Sequence, residues 1–139
     1  MEPAPAQLLV EIHNALILGG FTEPIFFAQK ILNQRDLDRN HDRLLIEVAA
    51  NNPIIAALEG IGGIEVTLMH SLQLLESNPI TLRRYPQGSA LSYMLVKGWY
   101  KVAVNQINPR LRVNQRVRLW SCQRPGNAMF YVFVEVVDH

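Results

Sequence analysis

The chain has 139 residues, 49% apolar and 18% charged, with a formal net charge of +1. That size and composition fit one globular domain with its own core and exclude a disordered or low-complexity chain. The single cysteine, Cys122, excludes an internal disulfide and a cysteine-based zinc site.

Reading from the start, Met1 to Ala6 contains Glu2 and two prolines but no positive charge, unlike a secretory signal. No apolar run reaches the roughly 18 residues that span a bilayer. The expectation is a soluble, intracellular protein with no membrane association. Gln7 to Leu18 places Leu8, Leu9, Ile12, Ala15 and Leu16 at helical spacing, with Gly19-Gly20 as the stop. This helix is read as a packing element, with a dimer face as the alternative.

Phe26 to Leu32 reads as a strand, Asn33 to Arg43 as a polar loop, and Leu44 to Val48 as a second strand. Pro53 to Leu58 reads as a short helix capped by Asn52 and broken by Gly60, Gly62 and Gly63. Ile64 to Leu68 and Gln73 to Leu75 read as two short strands or one interrupted strand. Ile80 to Tyr85 is a strand, Pro86-Gln87-Gly88-Ser89 a turn, and Ser92 to Val96 a strand. Trp99 to Val104 has one helical face, and Asn108-Pro109 ends it. Val113 to Trp120 alternates Val113, Val117 and Leu119 with Arg112, Arg116 and Arg118, which predicts a half-buried strand with arginines outward. Arg124 to Asn127 is a turn, and Ala128 to Val137 completes a hairpin. Many short strands with regular turns predict a barrel or sandwich carrying a few helices.

Charge is unevenly spread. From Arg83 to Arg124 there are nine basic residues and no Asp or Glu, and ten of the twelve acids precede residue 77. This asymmetry predicts either a polyanionic partner or a solvated basic surface balanced by acids nearby. Catalytic signatures are absent: there is no GxGxxG, P-loop, HExxH or GxSxG. His13, His41, His70 and His139 lack metal-ligand spacing, so neither metal nor cofactor is expected. Asp36, Asp38 and Asp42 alternate with Arg35, Arg39 and Arg43, which predicts a self-paired, solvated turn rather than a cation loop.

Three segments fall in an ordered pattern. The first is Lys30-Ile31-Leu32, then Asp36-Leu37, then Asn40-His41-Asp42-Arg43-Leu44-Leu45-Ile46. The second is Ser92-Tyr93-Met94-Leu95-Val96-Lys97-Gly98-Trp99. The third is Leu111 to Trp120, ending in Leu119-Trp120-Ser121. Together they resemble the plant-specific B-three (B3) DNA-binding domain family, as a divergent member of the auxin-response-factor and abscisic-acid-insensitive type.

The resemblance implies a mainly β fold: a seven-stranded open pseudo-barrel with two short helices over residues 27–139. Residues 1–26 would form an extra N-terminal helical extension. It also implies binding of double-stranded DNA in the major groove by two arms, in nuclear transcriptional regulation. Carried over residue by residue, Arg35, Arg39 and Asn40 serve the N-arm, and Arg84, Gln87, Ser89 and Ser92 the C-arm; beside them Lys97 and Lys101 are expected to add nonspecific attraction at the rim. Arginine suits guanine or phosphate, Asn and Gln suit adenine, and serine hydroxyls suit phosphate. The alternative is a scaffold of the same fold without DNA contact, acting on a protein partner or a second copy through the N-terminal helix. It is favoured by Glu47-Val48, where the family has Pro and then Lys, and by the acids of the N-arm.

Overall fold

In the computed structural model, residues 10–50, 52–55, 63–70, 73–74, 79–126 and 129–137 are described. One helix, α1 (Val10–Leu18), precedes eight strands: β1 (Ile25–Ile31), β2 (Arg43–Glu47), β3 (Ile64–His70), β4 (Gln73–Leu74), β5 (Ile80–Arg84), β6 (Ser92–Val96), β7 (Arg116–Gln123) and β8 (Phe130–Val137). A one-turn 3-10 helix at Arg35–Leu37 and a π-helical turn at Tyr100–Val104 are short helices between the strands.

Seven strands form one curled sheet in the order β1-β7-β8-β3-β5-β6-β2, with β4 attached to β3. All pairs are antiparallel except β3 with β8. The two outer strands, β1 and β2, come back together at a seam. A single bridge, Ala28 with Val48, closes it, beside a bond from the Ala49 N–H to the Phe27 carbonyl (2.8 Å). Further along, ladder bonds give way to a side chain: Lys30 Nζ donates to the Leu45 carbonyl at 2.8 Å. Asp36 Oδ1, 3.4 Å away, keeps that ammonium paired in its partly buried position. The result is the expected open pseudo-barrel, closed at one end of its seam and parted at the other.

The interior is filled by alternate residues of every wall strand, including Leu44 and Ile46, Tyr93 and Leu95, Val117 and Leu119, and Val132 and Val134. In β1 the register slips between Phe26 and Ala28, so that Phe27 and Ala28 both enter the core. Such a bulge bends its strand and sharpens its twist, here beside the seam.

A second core lies outside the barrel. α1 lays Leu16, with Ile12, against the outward residues Trp120, Cys122, Tyr131 and Phe133 of β7 and β8. The helix ends as the Gly-Gly stop predicts. The Phe21 N–H reaches the Leu16 carbonyl (3.0 Å) and the Gly20 N–H the Ile17 carbonyl (3.1 Å), the bond pair of a Schellman end. Residues 7–9 of the predicted helix lie outside the described residues.

Two details differ from the sequence reading. β7 starts at Arg116 rather than Val113, because Asn114 takes a left-handed turn (φ 71) held by two bonds to Leu32: the Asn114 N–H to the Leu32 carbonyl (2.7 Å) and the Leu32 N–H to the Gln115 carbonyl (2.8 Å). Arg112 therefore precedes the strand. From Trp120 onward β7 is buried on both faces, since α1 covers the outside, so the alternation fades there. The capped turn at 52 is present, with Asn52 Oδ1 accepting the Ile54 N–H at 3.0 Å; residues 56–58 of that predicted helix lie outside the described residues.

Cys122 is buried in the second core, and burial pushes its thiol up to about 11 from an ordinary value near 9. The unfolded chain releases this proton first. Its contribution to stability is therefore intact below pH 9 and falls as pH rises towards 11. Chemical denaturation across that range should show a steeper decline for the native chain than for Cys122→Ala.

Candidate nucleic-acid interface

β2 pairs with β6 so that Arg43 faces Val96 and Glu47 faces Ser92. The loop 32–42, the N-arm, therefore enters β2 at one end of the pair. The loop 85–91, the C-arm, enters β6 at the other. Between the two lies the outer face of the seam, with a groove of about 520 Å³ lined by Gln29, Lys30 and Ile31 of β1, Leu45 and Glu47 of β2, and Tyr85, Gly88 and Ser92. On β2 the odd positions Arg43, Leu45 and Glu47 are the outward ones, as strand alternation requires.

The N-arm is built by its acids. Asn33 and Asp36 bond reciprocally: the Asn33 N–H to Asp36 Oδ2 (2.8 Å) and the Asp36 N–H to Asn33 Oδ1 (3.0 Å). Asp42 accepts the Gly98 N–H (3.1 Å) and the Tyr100 N–H (2.7 Å), tying the arm to the turn after β6. Trp99, fully buried, donates its indole N–H to the Asp36 carbonyl at 2.7 Å. Asp38 accepts the Asn40 N–H (2.8 Å) and faces His41 Nδ1 (3.1 Å). Those two contacts, the backbone bond first, hold its carboxyl below the usual range.

This is not the self-paired turn the alternating charges predict. Among the described residues the arm's only ion pairs are Lys30 with Asp36 and Asp38 with His41. A short carboxylate reaches neighbouring backbone N–H groups at little entropic cost. A long exposed arginine gains almost nothing from a surface pair. The acids are therefore turned to the backbone, while Arg35, Arg39 and Asn40 stand exposed with no side-chain partner among the described residues.

The C-arm is a pair of tight turns. The Gly88 N–H bonds the Tyr85 carbonyl (3.1 Å), and the Ser92 N–H the Ser89 carbonyl (3.1 Å). Gly88 has no room for a side chain, because a Cβ there would overlap Ser92. Ser89 Oγ donates to Glu47 Oε1 (2.9 Å) and accepts the Leu91 N–H (3.2 Å), and Ser92 Oγ accepts the Ser89 N–H (2.9 Å). With the Ser89 proton on Glu47, the 3.1 Å contact between the two hydroxyls is a donation from Ser92. Both serines are thus engaged in shaping the arm. Arg84 and Gln87 are exposed and have no side-chain partner among the described residues.

The eight residues singled out from the sequence fall into three sets. Arg35, Arg39 and Asn40 lie on the N-arm; Arg84, Gln87, Ser89 and Ser92 lie at the C-arm; Lys97 is exposed at the N-arm end of β6, with a left-handed backbone (φ 60). Three groups of the groove face escaped that reading. Arg43 extends from β2 with its guanidinium 5.8 Å from the Tyr85 ring centre. Lys30 staples the seam, and Glu47 braces Ser89. The outward alternation of Arg43, Leu45 and Glu47 was visible in the sequence; that β2 borders a seam was not. Away from the groove, Arg118 of β7 donates to Gln29 of β1 at 3.1 Å, so the arginine strand adjoins the groove through β1.

Among the described residues, no group of three or more His, Cys, Asp or Glu side chains is placed to hold a metal ion. His70 Nδ1 lies 3.0 Å from the Val134 carbonyl and so is its donor. No helix of the described residues is long and apolar enough to cross a membrane.

A seven-stranded barrel parted along one seam, with an arm at each end of the parted face, defines a B3-type domain. The family model described as B3 domain-containing protein At2g31720-like matches residues 54–135, more than half of the chain. The chain belongs to this B3 domain family. The match takes in the C-arm, β3 to β7 and most of β8, but not the N-arm. No curated protein matches the chain.

Proposed function

We propose that this domain binds double-stranded DNA, with its two arms in the major groove and the seam face between them. The observation that carries this reading is the division of labour in the arms. Carboxylates and serine hydroxyls are spent on backbone and neighbouring groups, while Arg35, Arg39, Asn40, Arg84 and Gln87 are exposed and unengaged. An arm whose acids are bonded to backbone N–H groups and to His41 leaves its arginines as the unengaged charges, which suits counterion release from phosphates. The exposed guanidiniums and amides have the forked geometry that reads guanine and adenine edges. Ser89 and Ser92 act by fixing the C-arm, since their hydroxyl protons and backbone N–H groups are all bonded within it and to Glu47. Lys97 adds attraction at the N-arm rim. The domain is a binding module, not an enzyme, and serves transcriptional regulation in a plant nucleus.

The test is a gel shift on a randomised duplex pool at about 50 and about 200 mM salt, the range over which phosphate contacts are lost. The native chain is expected to enrich a short motif with steep salt dependence. The Arg84→Ala, Gln87→Ala double variant is expected to lose that enrichment while keeping its fold by circular dichroism. No binding at the lower salt would defeat the reading.

A second reading rests on α1. Val10 (70% exposed), Ile17 (44%) and Leu18 (88%) form its outer side, while Leu16 is buried on the barrel. A protein partner or second copy seated on that side would bury them. Sedimentation of the native chain and an Ile17→Asp, Leu18→Asp variant separates a homodimer from a monomer.

A further inference from the structure

Glu47 is the least expected group in a DNA-facing groove. It ends β2 on the outward side, lines the groove, and is exposed. It has no cation partner among the described residues. A carboxylate beside DNA is repelled by phosphate, so it weakens binding wherever it faces the backbone. It gains only where it meets a hydrogen-bond donor. In the major groove the donors on base edges are the amino groups, N4 of cytosine and N6 of adenine, and a carboxylate pairs best with cytosine.

The geometry points to such a role. Ser89 Oγ donates to Glu47 Oε1 at 2.9 Å, and Ser89 is itself fixed by the Leu91 N–H and by Ser92. The carboxylate is thereby held in one orientation, with Oε2 free of partners among the described residues. Position is supported from behind too: the Val48 N–H bonds the Leu91 carbonyl at 2.9 Å, pinning the end of β2 to the C-arm. Resting on the DNA-binding reading above, we propose that Glu47 is a base-reading residue. Its Oε2 accepts the amino group of cytosine at one base pair beside the C-arm, and Ser89 is the residue that positions it.

The braced oxygen makes a sharp prediction for the isosteric change. In Glu47→Gln the Ser89 hydroxyl still needs an acceptor, so the amide oxygen turns to Ser89 and the NH2 takes the place of Oε2. An acceptor becomes a donor at the same point in the groove. The preferred base there should change from an amino-bearing one, cytosine first, to an oxo-bearing one, guanine or thymine, with other positions of the motif unchanged. Glu47→Ala should flatten preference at that position by about tenfold, in the range of one good base contact, and raise affinity for random duplex. Ser89→Ala should weaken the same preference without reversing it.

The experiment is selection from a randomised duplex pool with the native chain, Glu47→Gln, Glu47→Ala and Ser89→Ala in parallel, each checked for folding by thermal melting. A polarity switch confined to one position supports the proposal. An unchanged motif in Glu47→Gln overturns it, as does an equal loss at every position in Glu47→Ala, which would make Glu47 a brace for the C-arm alone. A native chain that selects nothing even at low salt defeats the DNA-binding reading itself, and this inference with it.

Discussion

Trp99→Ala is expected to cost about 3–5 kcal/mol of folding stability, the range for emptying a large aromatic site in a packed core. Trp99 is fully buried, among the largest side chains of the barrel interior. Its loss leaves a cavity between the N-arm and the π-helical turn at Tyr100–Val104. It also strands the Asp36 carbonyl, which accepts the indole N–H at 2.7 Å. Trp99→Phe separates the two effects. It keeps most of the ring volume and loses the bond, for an expected cost of about 1–3 kcal/mol. Urea denaturation followed by circular dichroism gives both values. Equal midpoints for the two variants would mean that the hydrogen bond, not the packing, carries the residue's effect. The consequence reaches the interface, because the carbonyl that Trp99 holds belongs to the short helix that begins with Arg35.

Asn52→Ala is the second large effect, with an expected cost of about 2–4 kcal/mol from several buried groups left without partners. Asn52 is 3% exposed. Its Nδ2 donates to the Phe26 carbonyl (2.9 Å) and to Ser121 Oγ (2.9 Å), and its Oδ1 accepts the Ile54 N–H (3.0 Å). One side chain thus joins β1, β7 and the segment that follows β2, close to the Ala28–Val48 bridge that closes the barrel. Removing it should loosen the closed end of the seam. Denaturation midpoints measure the cost. Hydrogen exchange at Ala49, whose N–H bonds the Phe27 carbonyl, is expected to quicken beyond the global change. Asn52→Asp keeps the Ile54 bond but sets a buried carboxylate oxygen against the Phe26 carbonyl, and should cost at least as much as Asn52→Ala.

Much of the fold was legible because its signals are local. Strand limits at β2, β5 and β6 follow from apolar alternation ended by turn residues, and Ser92–Val96 matches its expected limits. The end of α1 followed from Gly19-Gly20. The left-handed backbone of Asn114 is within that residue type's own preference. The C-arm was legible for the same reason, since Pro86 to Ser89 can hardly be anything but a turn. The chemistry of the N-arm was not. Alternating Asp and Arg read as mutual pairs, but pairing depends on which backbone N–H groups come within reach. Those of Gly98 and Tyr100, which capture Asp42, are more than fifty residues away along the chain.

By itself, then, the sequence determined a β-rich fold, its turns and its basic second half, because composition and alternation are carried by neighbouring residues, and its three ordered motifs resembled the B3 family to which the chain belongs. Only the tertiary structure decided the parallel pairing of β3 with β8, the second core beneath α1, and the seam stapled by Lys30. It also decided which charges face outward. Those depend on contacts between residues far apart in the chain, where burial and the nearest available hydrogen-bond partner, rather than residue type, settle what a side chain does.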